Sequence, residues 1–142
     1  TDEIDISILD YRYTTGSGKN SSTSSQTVIM FRSSLLHLPN FALRPENVLH
    51  RIGGAFGYQD IDFDSHPVFS KQYLLQAQDV QACQDAFTES VLAYYDQRKG
   101  LNTEGDGDTL LFYRARKTVR PDDIQSLLEE GLSVFSLFTA DT

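Results

Sequence analysis

The sequence predicts an α+β fold: an antiparallel sheet of about six to seven strands with two long amphipathic helices packed on one face. Three observations carry this. Apolar residues alternate in several stretches of the N-terminal half, they recur at helical spacing in two stretches of the C-terminal half, and a strand-turn-strand pattern separates those two stretches. Strands, helix, hairpin, helix is not the βαβ alternation of a parallel sheet. At 142 residues the chain suits one domain spanning 1–142, because two cores of half that size would each be marginal. An apolar fraction of 39% with 11% aromatics is enough for a packed interior and argues against global disorder.

Residues 4–13 open the chain as a strand. Ile4, Ile6 and Ile8 alternate with Asp5 and Ser7, and the apolar parity then passes to Leu9, Tyr11 and Tyr13. Such a switch suggests either a bulge or a strand covered on both faces. Residues 14–26 are all Ser, Thr, Gly, Asn, Lys or Gln, which predicts a mobile hairpin tip about 14–26 before a second strand at 27–33. Leu36 and Leu38, then Phe41 and Leu43, suggest two short extended pieces around Pro39-Asn40. Pro45-Glu46 followed by Val48, Leu49 and Ile52 reads as a short helix over 45–52, ended by Gly53-Gly54. Ile61 and Phe63 alternate with Asp60, Asp62 and Asp64, the pattern of a strand with one wet face. Ser65-His66-Pro67 marks a turn or kink, and a further strand follows at about 68–76.

The first long helix is expected over about 80–98. Asp79 is placed to cap it, Val80, Cys83, Phe87, Val91 and Tyr94 or Tyr95 form its apolar stripe, and Gly100 ends it. The hairpin turn is expected within Glu104–Asp108. The last helix starts at Pro121-Asp122-Asp123, with a core stripe of Ile124, Leu127, Leu128, Gly131, Val134 or Phe135, and Phe138.

Charge excludes some partners. Lys plus Arg is 12 and Asp plus Glu is 20, a formal net charge of −8 spread along the chain. A nucleic-acid binder concentrates bases on one face, and the densest basic group here, Arg114, Arg116, Lys117 and Arg120, abuts Asp122 and Asp123. This disfavours nucleic acid and an anionic membrane surface. No apolar run is long enough to form a membrane-spanning segment. The lone Cys83 excludes an internal disulfide or a multi-cysteine zinc site, and its place in a helical stripe suits an inert buried thiol. Thr1, not Met, starts the chain, and the start lacks signal-peptide features, so a domain excised from a longer protein is expected.

The block Gly57-Tyr58-Gln59-Asp60-Ile61-Asp62-Phe63-Asp64-Ser65-His66-Pro67, followed by Phe69-Ser70 and Tyr73-Leu74-Leu75, occurs together with Asp10-Tyr11-Arg12-Tyr13-Thr14-Thr15-Gly16-Ser17-Gly18-Lys19. This pairing resembles the soluble domain of an uncharacterised family of bacterial proteins in which membrane helices often precede the domain. The resemblance covers most of the chain. It implies a bacterial source and a soluble, cytoplasmic domain tethered to the inner face of a membrane through a missing anchor. It brings no activity, and therefore no catalytic residue.

The sharpest polar constellation is Asp60, Asp62, Asp64 and His66. On one strand face three carboxylates would repel and could recruit a hard cation, with the imidazole suiting a transition metal. The competing reading has Asp60 and Asp62 facing water and Asp64 with Ser65 closing a turn. Tyr11, Tyr13 and Tyr58 are the candidate partner-binding residues, beside Arg12, Arg32 and Arg44; cross-strand packing is the alternative. Glu104–Asp108 lacks the spacing of a calcium loop, and the glycines at 16–18 and 53–57 lack the strand before and helix after that a phosphate cradle needs. No cofactor is therefore expected. His37, His50 and His66 form no metal pair, and no Gly-x-Ser-x-Gly elbow occurs. These readings favour a non-enzymatic interaction or regulatory domain with a protein partner; the alternative is a small ligand- or metal-binding domain using the acidic strand 60–64 and His66.

Overall fold

Strands β1 (Ile4–Thr15) and β2 (Ser22–Ser33) form a long antiparallel hairpin in unbroken register from Ile4↔Ser33 to Thr15↔Ser22. The structure, a computed structural model, describes residues 4–15, 18–46, 59–115 and 117–139. The ladder takes in Thr14, Thr15 and residues 22–26, which the sequence had placed in the tip. Their composition cannot build a core, but a strand ladder needs only paired backbone, and the Thr14 and Thr23 hydroxyls meet across it at 3.0 Å. The parity switch after Ile8 involves no bulge. Ile4, Ile6 and Ile8 lie on the face of Phe31 and Ile29, while Leu9, Tyr11 and Tyr13 lie on the other.

Strand β3 (Leu38–Pro45) is one strand, not two pieces; its register shifts between Leu38 and Phe41, where Pro39-Asn40 sits. Pro45 ends it and Glu46 is a turn residue, so no helix begins at Pro45; the rest of the expected helix lies outside the described residues. Strand β4 is described over Gln59–Ile61, β5 is Tyr73–Ala77, β6 is Asn102–Gly107 and β7 is Thr109–Tyr113. All pairings are antiparallel, in the order β1-β2-β7-β6-β3-β5-β4. The seven strands among the described residues and the α+β class agree with the sequence reading.

The helices correct it. Among the described residues only one is long: α4 (Ile124–Thr139), entered through a 3-10 turn at Pro121–Asp123. Its buried stripe is Leu127, Gly131, Val134 and Phe135. Gly131 lets it approach the sheet, since a Cβ there would stand 3.0 Å from the Phe31 ring and 3.3 Å from that of Phe112. The expected helix over 80–98 is two helices, α2 (Val80–Ala86) and α3 (Glu89–Asp96). Asp79 caps α2, its carboxylate accepting from Ala82 N at 3.1 Å. At the break Phe87 leaves helical geometry (φ −88°, ψ 77°), and Thr88 caps α3 by accepting from Val91 N. Apolar spacing cannot register so short a break, because the stripe resumes in phase. Helix α1 (Pro67–Gln72) replaces the start of the strand expected at 68–76. Pro67 occupies its first turn, which needs no amide donor, and Tyr73 returns to extended backbone.

The core lies between one sheet face and these helices. Phe87 is its hub, with ring centroids 5.1 Å from Phe41, 5.4 Å from Phe138 and 6.3 Å from Phe69. Cys83 is fully buried nearby, and burial pushes its thiol up to about 12, as the inert reading expects. Among the described residues no helix is long and apolar enough to cross a membrane.

Candidate functional site

Two places position the candidate residues: the turn between β4 and α1, and the outer edge of β1. In the first, β4 stops at Ile61, so the alternating run 60–64 is not one strand face. Phe63 turns inward, its ring 5.8 Å from Phe69, and its backbone N–H donates to Ser70 Oγ of α1 at 2.9 Å. Asp60 accepts a hydrogen bond from Gln76 Nε2 at 2.8 Å, and Gln76 in turn accepts from Arg44 at 3.4 Å. Asp62 and Asp64 are exposed.

His66 goes elsewhere. Its ring is buried and lies between two carboxylates of α3, with Nδ1 2.6 Å from Asp96 Oδ2 and Nε2 2.8 Å from Glu89 Oε2. Those acids lie seven positions apart, two helical turns, so they share one side of α3. An ionised carboxylate only accepts, so two such contacts call for a proton on both ring nitrogens. The hydrogen bond to Asp96, then that to Glu89, raise the His66 pKa above 6.5. Asp96 is the more sheltered acid, 24% exposed against 80% for Glu89, so its contact is the less screened. In this state neither nitrogen offers a lone pair to a metal. Among the described residues no group of three His, Cys, Asp or Glu side chains is placed to hold one. Asp60, Asp62, Asp64 and His66 are thus near in sequence but not convergent.

The second place is β1. It ends the sheet, and among the described residues no strand pairs with its outer side. Because directly opposed residues share a face, Ile6 beside Phe31 and Ile8 beside Ile29 continue the core face. Helix α4 covers Phe31 through Phe135, centroids 5.5 Å apart, but the cover ends near there. Ile4, Ile6 and Ile8 remain 39%, 42% and 41% exposed, and Leu9 on the opposite face 41%. Tyr11 is half-buried on the Leu9 face and Tyr13 occupies the same parity, with its side chain outside the described part; Tyr58 lies outside the described residues altogether. Arg12 falls on the other face of β1; Arg32 shares the face of Tyr11 but stands opposite Asp5, six positions away along β1; and Arg44 sits on β3, beyond three intervening strands, so Tyr11 and the three arginines do not make one patch. Among the described residues the exposed apolar surface of β1 thus belongs to the isoleucines and Leu9, and not to the tyrosines that the sequence singles out. The signal was present: three isoleucines on one strand face are more than a half-covered edge needs.

A third polar feature lies on the sheet face away from the helices. Tyr113 Oη donates to Glu104 Oε2 at 2.6 Å, both residues buried, beside a depression of about 100 Å³ lined by Asn40, Glu104, Asp106 and Thr109. That volume is well below the several hundred Å³ of a typical small-molecule site. Compared with known proteins, the chain matches no protein family, no curated protein and no solved structure.

Proposed function

We propose that this is a non-enzymatic interaction domain that receives an extended segment of a protein partner along β1. The observation that supports it is the aliphatic stripe Ile4-Ile6-Ile8 beside the outer edge of a twelve-residue end strand. An exposed apolar edge is a liability that proteins normally blunt with lysine, proline or a bulge. Between Ile4 and Thr15 there is no lysine or proline and the ladder has no bulge; the charged residues are Asp5, Asp10 and Arg12, and none falls within Ile6–Leu9. An added strand would pair its backbone with that edge, and its alternate side chains would cover the isoleucines. Among the described residues the opposite edge, β4, is paired over three residues, Gln59–Ile61. The metal-binding alternative has less support, since His66 is held by α3 and Asp60 by Gln76.

A photo-crosslinking amino acid at Ile6, incorporated in the cells that make the protein, tests this directly. A discrete adduct is expected, mapping by mass spectrometry to one extended stretch of another protein and absent when the crosslinker replaces exposed Gln125 on α4. Adducts shared by both positions, or formed only between two copies of the chain, would overturn the reading.

A further inference from the structure

We infer that His66 is a proton-operated clamp, holding the turn 62–66 and the start of α1 against α3 while both ring nitrogens are protonated and releasing them when one proton leaves. The geometry carries the argument. The ring bridges Glu89, in the first turn of α3, and Asp96, the last residue of that helix. A carboxylate at a helix C-terminus faces the negative end of the dipole, so Asp96 needs a cation beside it. Its second oxygen, Oδ1, is buried with no hydrogen-bond partner, which leaves His66 as the group that answers its charge. The segment His66 anchors is otherwise tied by few polar contacts. Among the described residues these are the turn bond from His66 N to Phe63 O at 3.0 Å, the bond from Ser70 N to His66 O at 3.1 Å and the two bonds between Phe63 and Ser70 Oγ, all within 63–70 and none reaching α3. The charged groups facing the ring are Asp96 and Glu89, both from α3; Asp64 on the preceding turn and Lys71 on α1 are exposed.

When a proton leaves, a nitrogen lone pair meets a carboxylate in a sheltered position, and attraction becomes repulsion. The sign follows from the raised pKa. The clamp contributes fully below pH 6.5 and is lost as pH rises through the higher value His66 has in the folded protein. The opening is local, because Phe69 and Phe87 remain the core on which the rest of the fold depends.

The test is amide hydrogen exchange of residues 63–72 between pH 6 and pH 9, corrected for intrinsic rates, with the His66 imidazole followed by NMR and EDTA present throughout. His66 should titrate above 6.5, and exchange of 63–72 should rise with pH by roughly tenfold for each unit by which that pKa is raised. Exchange of α4 should not follow. In His66→Gln the segment should exchange fast at pH 6 already, with no further rise. In Asp96→Asn, which keeps the imidazole, the His66 pKa should fall and the transition should move to lower pH. Titration of His66 at or below 6.5 would overturn the clamp. So would a rise that persists in His66→Gln, or that spreads equally to α4.

Discussion

At the scale of single residues, the molecule depends on a few side chains and one missing side chain. Gly105 in β6 is directly opposite Phe41 in β3, on the core face. A Cβ at Gly105 would fall on the Phe41 ring and within 2.9 Å of Leu38 Cδ1. That ring is fully buried and packs edge-on against Phe87, so it cannot yield freely. Gly105→Ala should therefore destabilise the fold by about 1–3 kcal/mol, the usual cost of overpacking. Urea denaturation checks this, and an unchanged midpoint would mean that the ring has room to move. Nothing in the sequence marked Gly105 in this way: a glycine between two acids reads as turn chemistry, and the aromatic ring that needs the space lies 64 positions earlier. His66 shows the same limit. Its neighbours Asp60, Asp62 and Asp64 were visible as a cluster, whereas the acids it actually meets, Glu89 and Asp96, are 23 and 30 residues away. Local spacing can propose ligands only from the same stretch of chain.

At the scale of elements, periodicity was informative about which face is buried and silent about where a helix pauses. The stripe of α4 was legible because Leu127, Gly131 and Phe135 follow one uninterrupted helical repeat. The stripe Val80, Cys83, Phe87 and Val91 was equally legible, yet it runs through the boundary between α2 and α3. The boundary is chemical, not periodic: Thr88 supplies the oxygen that accepts from Val91 N, and Glu89 sits favourably at the positive end of α3. Thr88→Ala should thus cost ~1 kcal/mol through loss of the cap. Thr88→Ser, which keeps the hydroxyl, should recover most of it. Thermal unfolding of the two variants separates the cap from any packing role of the Thr88 methyl; equal losses in both would assign the effect to packing. The hairpin of β1 and β2 shows a different gap. Ser and Thr carry no burial signal, so the polar half of the ladder is not distinguishable from a loop by composition, although its backbone pairs through to Thr15 and Ser22.

At the scale of the whole molecule, sheet order ranks the strands by what holds them. Strands β7, β6 and β3 are each paired on both sides and carry fully buried core residues: Leu110 and Phe112, Leu101 just before β6, and Phe41 and Leu43. Strand β1 is paired on one side only, and the aliphatic residues it offers to the core face keep about two-fifths of their surface in water. Its ladder to β2 is long, but β2 meets β7 only over Val28–Arg32; beyond the contacts of Thr27 with Lys117 and Val119, the polar half of the hairpin rests on no third strand among the described residues. Local opening requires losing few buried contacts, and such segments exchange well below the global free energy. Native-state hydrogen exchange should accordingly show the amides of β3, β6 and β7 exchanging only with global unfolding. Those of Tyr11–Thr15 should be fastest within the sheet, with Ile4–Leu9 between. A partner strand seated on β1 would remove that gradient by pairing the outer amides and covering Ile4, Ile6 and Ile8, so the isolated chain and the occupied one differ most where the sheet ends. Protection of β1 equal to that of β6 in the isolated chain would mean that the edge is already closed, and the case for strand addition would lose its basis.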